Sequence, residues 1–200
     1  MITIGITGGV GAGKSEVLKY ISDNYNAEIL YADRYAEELE MPGGACYEPL
    51  VSLLGEDVLT NNLEIDRKKM SFQIFSNPAL LNRVNDIVHP AVKTGVISKI
   101  EELKAEGEKD FFFLEAALLI ECGYKEILDE LWYIYADEDI RRKRLKSSRG
   151  YSDEKVDNIL ASQLDSATFA ANADFIVDNS QNLETTFRQI DERMDSYKIL

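Results

Sequence analysis

Histidine and tryptophan each occur once in this 200-residue chain, cysteine twice and proline four times. No apolar run approaches the length of about 20 residues that a membrane span needs. The lone histidine forms no metal-ligand pattern with Cys46 and Cys122, which are also no CxxC pair, so both cysteines read as reduced thiols. Basic residues are outnumbered, 22 against 36 acids, and the net charge of −14 argues against general binding to nucleic acid or anionic membrane. The first residues lack the basic start and small-residue cleavage site of a secretory signal, which places the expected location in the cytoplasm. What is present is an ordinary globular profile, 45% hydrophobic and 29% charged, with length enough for one core and an inserted lobe.

The scarce positive charge is unevenly spread. In RRKRLKSSR, Arg141 to Arg149, six of nine residues are basic and none is acidic. Such a segment either sits near an anion or forms a solvated helix face balanced by neighbouring acids.

Glycine is concentrated too. ITIGIT, Ile2 to Thr7, alternates as a strand, and GGVGAGKS follows it, leading into a helical pattern with Val17, Leu18 and Ile21 on one face. Gly8-x-x-x-x-Gly13-Lys14-Ser15 matches the phosphate-binding loop GxxxxGK[ST]. Glycines let the backbone curl until successive N–H groups surround a phosphate, and the helix start adds its positive dipole. Lys14 can reach the β- and γ-phosphates, and the Ser15 hydroxyl can ligate Mg²⁺. A chance match somewhere in the chain is roughly one in a hundred on glycine frequency, and this one has the expected strand before it and helix after it. The loop residues Gly9, Gly11, Ala12, Gly13, Lys14, Ser15 and Glu16 are therefore expected to hold a nucleoside triphosphate.

Farther along, AEILYA (27–32) reads as a second strand, followed by a helix with Asp33 as its N-cap. The chain from Tyr47 to Glu106 reads as helical throughout, with caps at Asp66 and Asn77 and a break at His89-Pro90. FFFLE, LWYIYA and ADFIVDN supply three more strands, Ser152 caps a helix, and Leu183 to Tyr197 closes the chain with an amphipathic helix. Five apolar strands alternating with helices predict an α/β fold, a P-loop NTPase with a five-stranded parallel sheet flanked by helices. The core is expected over 1–45 and 107–200, with an inserted helical domain over 46–106 and a basic lid over about 138–165.

No NKxD element for guanine is present, so a GTPase switch is not favoured. A small-molecule kinase needs an acid near the acceptor hydroxyl, an acceptor pocket and a basic lid that excludes water. Asp33, at the carboxyl end of the second strand, is a candidate for the acid, and helix capping is its ordinary alternative. The helical insertion offers a pocket, and Arg141 to Arg149 offers the lid. Glu115 either helps hold Mg²⁺ through water or is a strand-end acid without special task.

ITGGVGAGKS, YADRYAEE, Asp66-Arg67, VHPAV, ALLIE, RRKRL with a downstream ASQ, and ADFIVDN occur in the order found in the dephospho-CoA kinase family, which the chain resembles from residue 1 to about 179. The resemblance implies transfer of the ATP γ-phosphate to the ribose 3′-hydroxyl of dephospho-CoA. It further implies that Asp33 activates that hydroxyl, that Arg67 and His89 belong to the acceptor domain, that Arg144 is the lid arginine and that Asn179 lies near the ATP base. Without it, His89 reads as a packing residue ahead of a proline. The chain departs from the family at Ala117 and Ile120, at SSRG, where Ser148 takes an arginine's place and Arg149 stands one residue later, and at DSATFAAN.

Overall fold

The computed structural model describes residues 1–75 and 77–199. Five strands, β1 (Ile2–Thr7), β2 (Ala27–Tyr31), β3 (Phe111–Glu115), β4 (Glu130–Tyr135) and β5 (Phe175–Asp178), form one sheet in the order β2-β3-β1-β4-β5. β1 pairs in parallel with β3 and β4, and β4 with β5. The continuous apolar character of the central strands is explained by burial on both faces: Ile4, Ile6, Phe112, Phe113, Leu114, Trp132 and Ile134 are all fully buried. Because β1 is central, the loop that follows it emerges in the middle of the sheet's carboxyl edge, where open parallel sheets place their ligands. β3 stands between β1 and β2.

The helices are α1 (Lys14–Asn24), α2 (Ala32–Leu39), α3 (Tyr47–Leu54), α4 (Arg67–Phe75), α5 (Pro78–Glu106), α6 (Glu138–Arg149), α7 (Asp153–Ala161), α8 (Ser166–Asn172) and α9 (Leu183–Ser196). The expected caps form. Asp66 Oδ1 accepts from the Lys68 and Lys69 amides at 2.9 and 3.2 Å, Asn77 Oδ1 accepts from Leu80, and Ser152 Oγ accepts from Lys155.

Three local expectations are corrected. Pro90 does not end a helix: α5 runs unbroken over 29 residues with Pro90 inside it. Proline removes the bond that the Asp86 carbonyl would accept. Burial of Val84 on one side of it and of Val92, Val96, Ile100 and Leu103 on the other keeps the helix whole. The chain between α3 and α4 is not helical throughout either, since Leu59 and Ile65 form an antiparallel bridge. Finally, the N-cap of α2 is Tyr31, without a side-chain bond, and Asp33 lies inside the first turn. α8, capped by Asp165 through the Thr168 amide at 2.7 Å, had no counterpart in the sequence reading.

The chain divides into two compact units, one of residues 1–29 and 106–200, the other of residues 30–105. The second unit has its own core, with Cys46, Leu50, Val58, Met70 and Val84 buried together. It begins earlier than the insertion at 46–106 expected from the sequence, and so includes α2 and Asp33.

Candidate active site

The loop between β1 and α1 is shaped by what packs on it. Gly13 adopts φ +94°, a conformation L side chains rarely adopt, and a Cβ there would lie 2.2 Å from Asn179 Nδ2. No side chain caps α1, so the positive end of its dipole is left to a ligand. A cavity of about 550 Å³ opens there. Its walls are Gly9, Gly11, Gly13, Lys14, Ser15 and Glu16 from the loop and α1, Glu115 from β3, Arg144 to Arg149 of α6 apart from Lys146, and Asn179 and Leu183. The volume suits a nucleotide-sized ligand.

Lys14 donates from Nζ to the Gly8 carbonyl at 2.8 Å and lies 3.6 Å from Glu115 Oε1. Arg144 donates from Nη1 to the carbonyls of Ala12 (3.2 Å) and Gly11 (3.4 Å), and from Nη2 to that of Asn179 (2.9 Å). The Asn179 side chain is buried. Its Nδ2 donates to the Ala12 carbonyl at 2.7 Å, and its Oδ1 accepts from Thr186 Oγ1 at 2.9 Å. Ala12 thus stays behind the cavity wall, while its carbonyl anchors two of the residues that build it.

The basic run of α6 divides its work by helical spacing. Arg142 pairs with Glu138 and Asp157, and Lys146 with Asp153, which is the balanced, solvated face. Arg141 and Arg144, three apart, turn to the loop instead. The solvated, acid-balanced face is thus present on one side of the helix, while the opposite side turns Arg141 and Arg144 to the loop. Arg149 also lines the cavity, and its guanidinium lies 6.0 Å from the centre of the Tyr151 ring. Ser148 lines it as well, with its hydroxyl donating to the Arg144 carbonyl at 2.6 Å.

The other expected site residues belong to the second unit. Asp33 is exposed on the first turn of α2. Arg67 opens α4, forms an ion pair with Glu37 and lies 3.9 Å from Glu40 Oε2. Burial pushes the Glu40 carboxyl above its ordinary pKa, against the pull of Arg67. His89 is half-buried within α5. Two residues at the loop were not singled out from the sequence as site residues, Arg141 and Gln163. The signals for them were present in RRKRL and ASQ, but nothing in spacing alone says which basic residue turns inward.

Among the described residues no group of three or more His, Cys, Asp or Glu side chains could hold a metal ion. Ser15, Glu16 and Glu115 at the cavity supply hard oxygen donors. This donor set fits Mg²⁺ carried with a nucleotide, which keeps several waters and takes phosphate oxygens, rather than a metal caged by protein.

At the base of the loop, the Thr7 hydroxyl is fully buried and has no hydrogen-bond partner among the described residues. Replacing a buried orphan hydroxyl with a methyl group removes a desolvation cost of about 1 kcal/mol. Thr7→Val is accordingly expected to raise the thermal unfolding midpoint by about 2–4 °C, as measured by calorimetry.

The glycine loop after the central strand, the parallel sheet and the basic helix over the cavity define a P-loop α/β protein of the kinase type. The crystal structure of TT1252 from Thermus thermophilus matches with a TM-score of 0.78 at 26% identity, covering 98% of this chain and 97% of its own. The shikimate kinase of Acinetobacter baumannii shares the fold with a TM-score of 0.58 at 14% identity, covering 100% and 96%. The family model described as Dephospho-CoA kinase matches residues 2–185. The Dephospho-CoA kinase of Streptococcus mutans is 34% identical over 192 residues, 96% of this chain and 95% of its own. The chain belongs to the dephospho-CoA kinase family.

Proposed function

We propose that the protein phosphorylates dephospho-CoA with ATP, at the ribose 3′-hydroxyl, giving CoA and ADP. The observation that carries this reading is the cavity at the loop, where an uncapped helix start, Lys14, Arg144 and Arg149 gather positive charge in a protein of net charge −14. That arrangement suits a triphosphate and the charge that develops as its terminal group departs.

In the reaction, the 3′-oxygen attacks the γ-phosphorus in line. The bond from phosphorus to the β–γ bridging oxygen breaks, and the hydroxyl proton passes to the Asp33 carboxylate. Backbone amides of Gly9, Gly11, Gly13, Lys14 and Ser15 orient the phosphates, with Ala12 and Glu16 completing the loop, while Lys14 and Arg144 stabilise the transferring group. Ser15 would hold Mg²⁺, with Glu115 helping through water, and the ion would supply positive charge to offset that of the phosphates. Arg149 adds to the phosphate field, and Asn179 holds the loop beside the nucleotide base. The helical unit takes the acceptor through Arg67 and His89, and residues 138–165 act as the lid. This is cytoplasmic chemistry, involving neither nucleic acid nor membrane; no helix among the described residues is long and apolar enough to cross a membrane.

Incubation with Mg·ATP and a panel of acceptors, followed by mass spectrometry, tests the assignment. CoA should form from dephospho-CoA. Phosphorylation of a nucleoside or nucleotide in its place would overturn the reading.

A further inference from the structure

Residue 10, at the tip of the loop, has both of its backbone polar groups held by side chains from far along the chain. The Val10 amide donates to Gln163 Oε1 at 3.2 Å, and the Val10 carbonyl accepts from Arg141 Nε at 3.0 Å. Arg141 Nη2 in turn donates to the same Gln163 oxygen at 2.6 Å, which closes a ring of three bonds. Arg141 comes from α6, and Gln163 from the segment between α7 and α8.

The choice of partners is informative. A guanidinium taken out of water is normally matched to a carboxylate, because the desolvation penalty of an unmatched charge is large. Here the bonds go to a carbonyl and an amide oxygen, and burial lowers the pKa of Arg141. A carboxylate at this place would cancel positive potential beside a phosphate site, whereas neutral acceptors leave it intact. Gly9 fits the same arrangement. A Cβ on Gly9 would lie 2.2 Å from Arg141 Nη2 and 2.4 Å from Cζ, so the absent side chain is what lets the guanidinium lie on the loop. Gly9 is not among the residues with positive φ, so backbone strain is not the reason for glycine there.

We propose that Arg141 and Gln163 are positioning residues, a clasp by which the lid segment fixes the tip of the phosphate loop in the shape that binds ATP. Neither residue lines the cavity; both act through Val10. The proposal rests on the reading of that cavity as the ATP site, and it adds residues and a task which that reading does not contain.

Titration calorimetry with Mg·ATP in the absence of any acceptor tests it, alongside unfolding of the nucleotide-free protein. Gln163→Leu removes the shared acceptor and should weaken ATP binding about tenfold. Gln163→Glu keeps an oxygen for both donors but cancels positive potential beside the phosphate site, and should recover only part of the affinity that Gln163→Leu loses. Arg141→Lys keeps the charge but loses the planar fork, and should weaken binding about as much as Gln163→Leu. The nucleotide-free unfolding midpoints should shift by no more than about 3 °C. Wild-type affinity in Gln163→Leu, or Gln163→Glu no better than Gln163→Leu, would overturn the clasp. Should Gln163→Leu fail to fold, Arg141→Lys decides by the same readout. A wild-type protein that binds ATP but leaves dephospho-CoA untouched sinks the assigned reaction and not the clasp. One that makes CoA, with variants that bind ATP normally, sinks the clasp alone.

Discussion

Asp33→Asn is expected to lower the rate of phosphoryl transfer to dephospho-CoA by about two to four orders of magnitude, the usual contribution of a positioned general base. Its affinity for Mg·ATP should stay within about twofold of wild type. Asparagine keeps the shape and one acceptor oxygen of aspartate, so the variant removes proton acceptance and little else. The transferring group of phosphoryl reactions is loosely bonded to both oxygens at the transition state, and the attacking hydroxyl is only partly deprotonated there. That places the expectation toward the lower end of the range, with orientation of the hydroxyl contributing as much as basicity.

The structure removes the competing explanation for Asp33. Had it capped α2, its loss would cost about 1 kcal/mol of stability and blur the kinetics. The cap position belongs to Tyr31, and Asp33 is exposed within the first turn, where its charge contributes a few tenths of a kcal/mol to the helix at most. The unfolding midpoint of Asp33→Asn should therefore match wild type within about 2 °C. Single-turnover transfer, calorimetric ATP binding and thermal unfolding form the test. Turnover within about tenfold of wild type would remove Asp33 from the role of base.

How far such residues could be read in advance depended on the range of the interactions that fix them. The loop is local: its glycines, Lys14 and Ser15 lie within eight positions, and the strand before and helix after follow from periods of two and 3.6. The caps at Asp66, Asn77 and Ser152 are equally local, a side chain bonding an amide two or three residues on. Pro90 went the other way because local preference ends a helix there, while burial of four apolar side chains beyond it continues one. The Asp33 cap failed by two residues, the usual uncertainty of a helix boundary. The clasp was out of reach for a different reason. Arg141 and Val10 are 131 positions apart and Gln163 and Val10 are 153 apart, so their meeting depends on β4 lying beside β1 and on how α6 leaves it. Composition could say that RRKRL is basic; only the sheet order says which of its arginines reaches the loop.

Arg144 carries the other large expectation, and the structure changes its form. A lid arginine that only met the departing phosphate would affect turnover and leave ATP affinity nearly untouched. Arg144 also donates to the carbonyls of Gly11, Ala12 and Asn179, so truncation loosens the loop as well. Hydrogen bonds from a charged donor are worth about 1.5–3 kcal/mol each when a partner is removed. The displaced carbonyls lie at a cavity open to water, which recovers much of that. Arg144→Ala should thus weaken ATP binding by only about tenfold. The effect on turnover is larger. Arginines that neutralise charge on a transferring phosphoryl group contribute about 10³–10⁵, and Lys14 and Arg149 line the same cavity, where their charge would take up part of that loss. The expected loss in kcat is about a hundred- to a thousandfold, and Arg144→Lys should recover part of it because charge returns without the fork. Steady-state kinetics with both substrates varied, paired with calorimetric ATP binding, separates the two contributions. A change in ATP affinity with kcat intact would reduce Arg144 to a strut of the loop, and would shift the transition-state role to Arg149, which lines the same cavity.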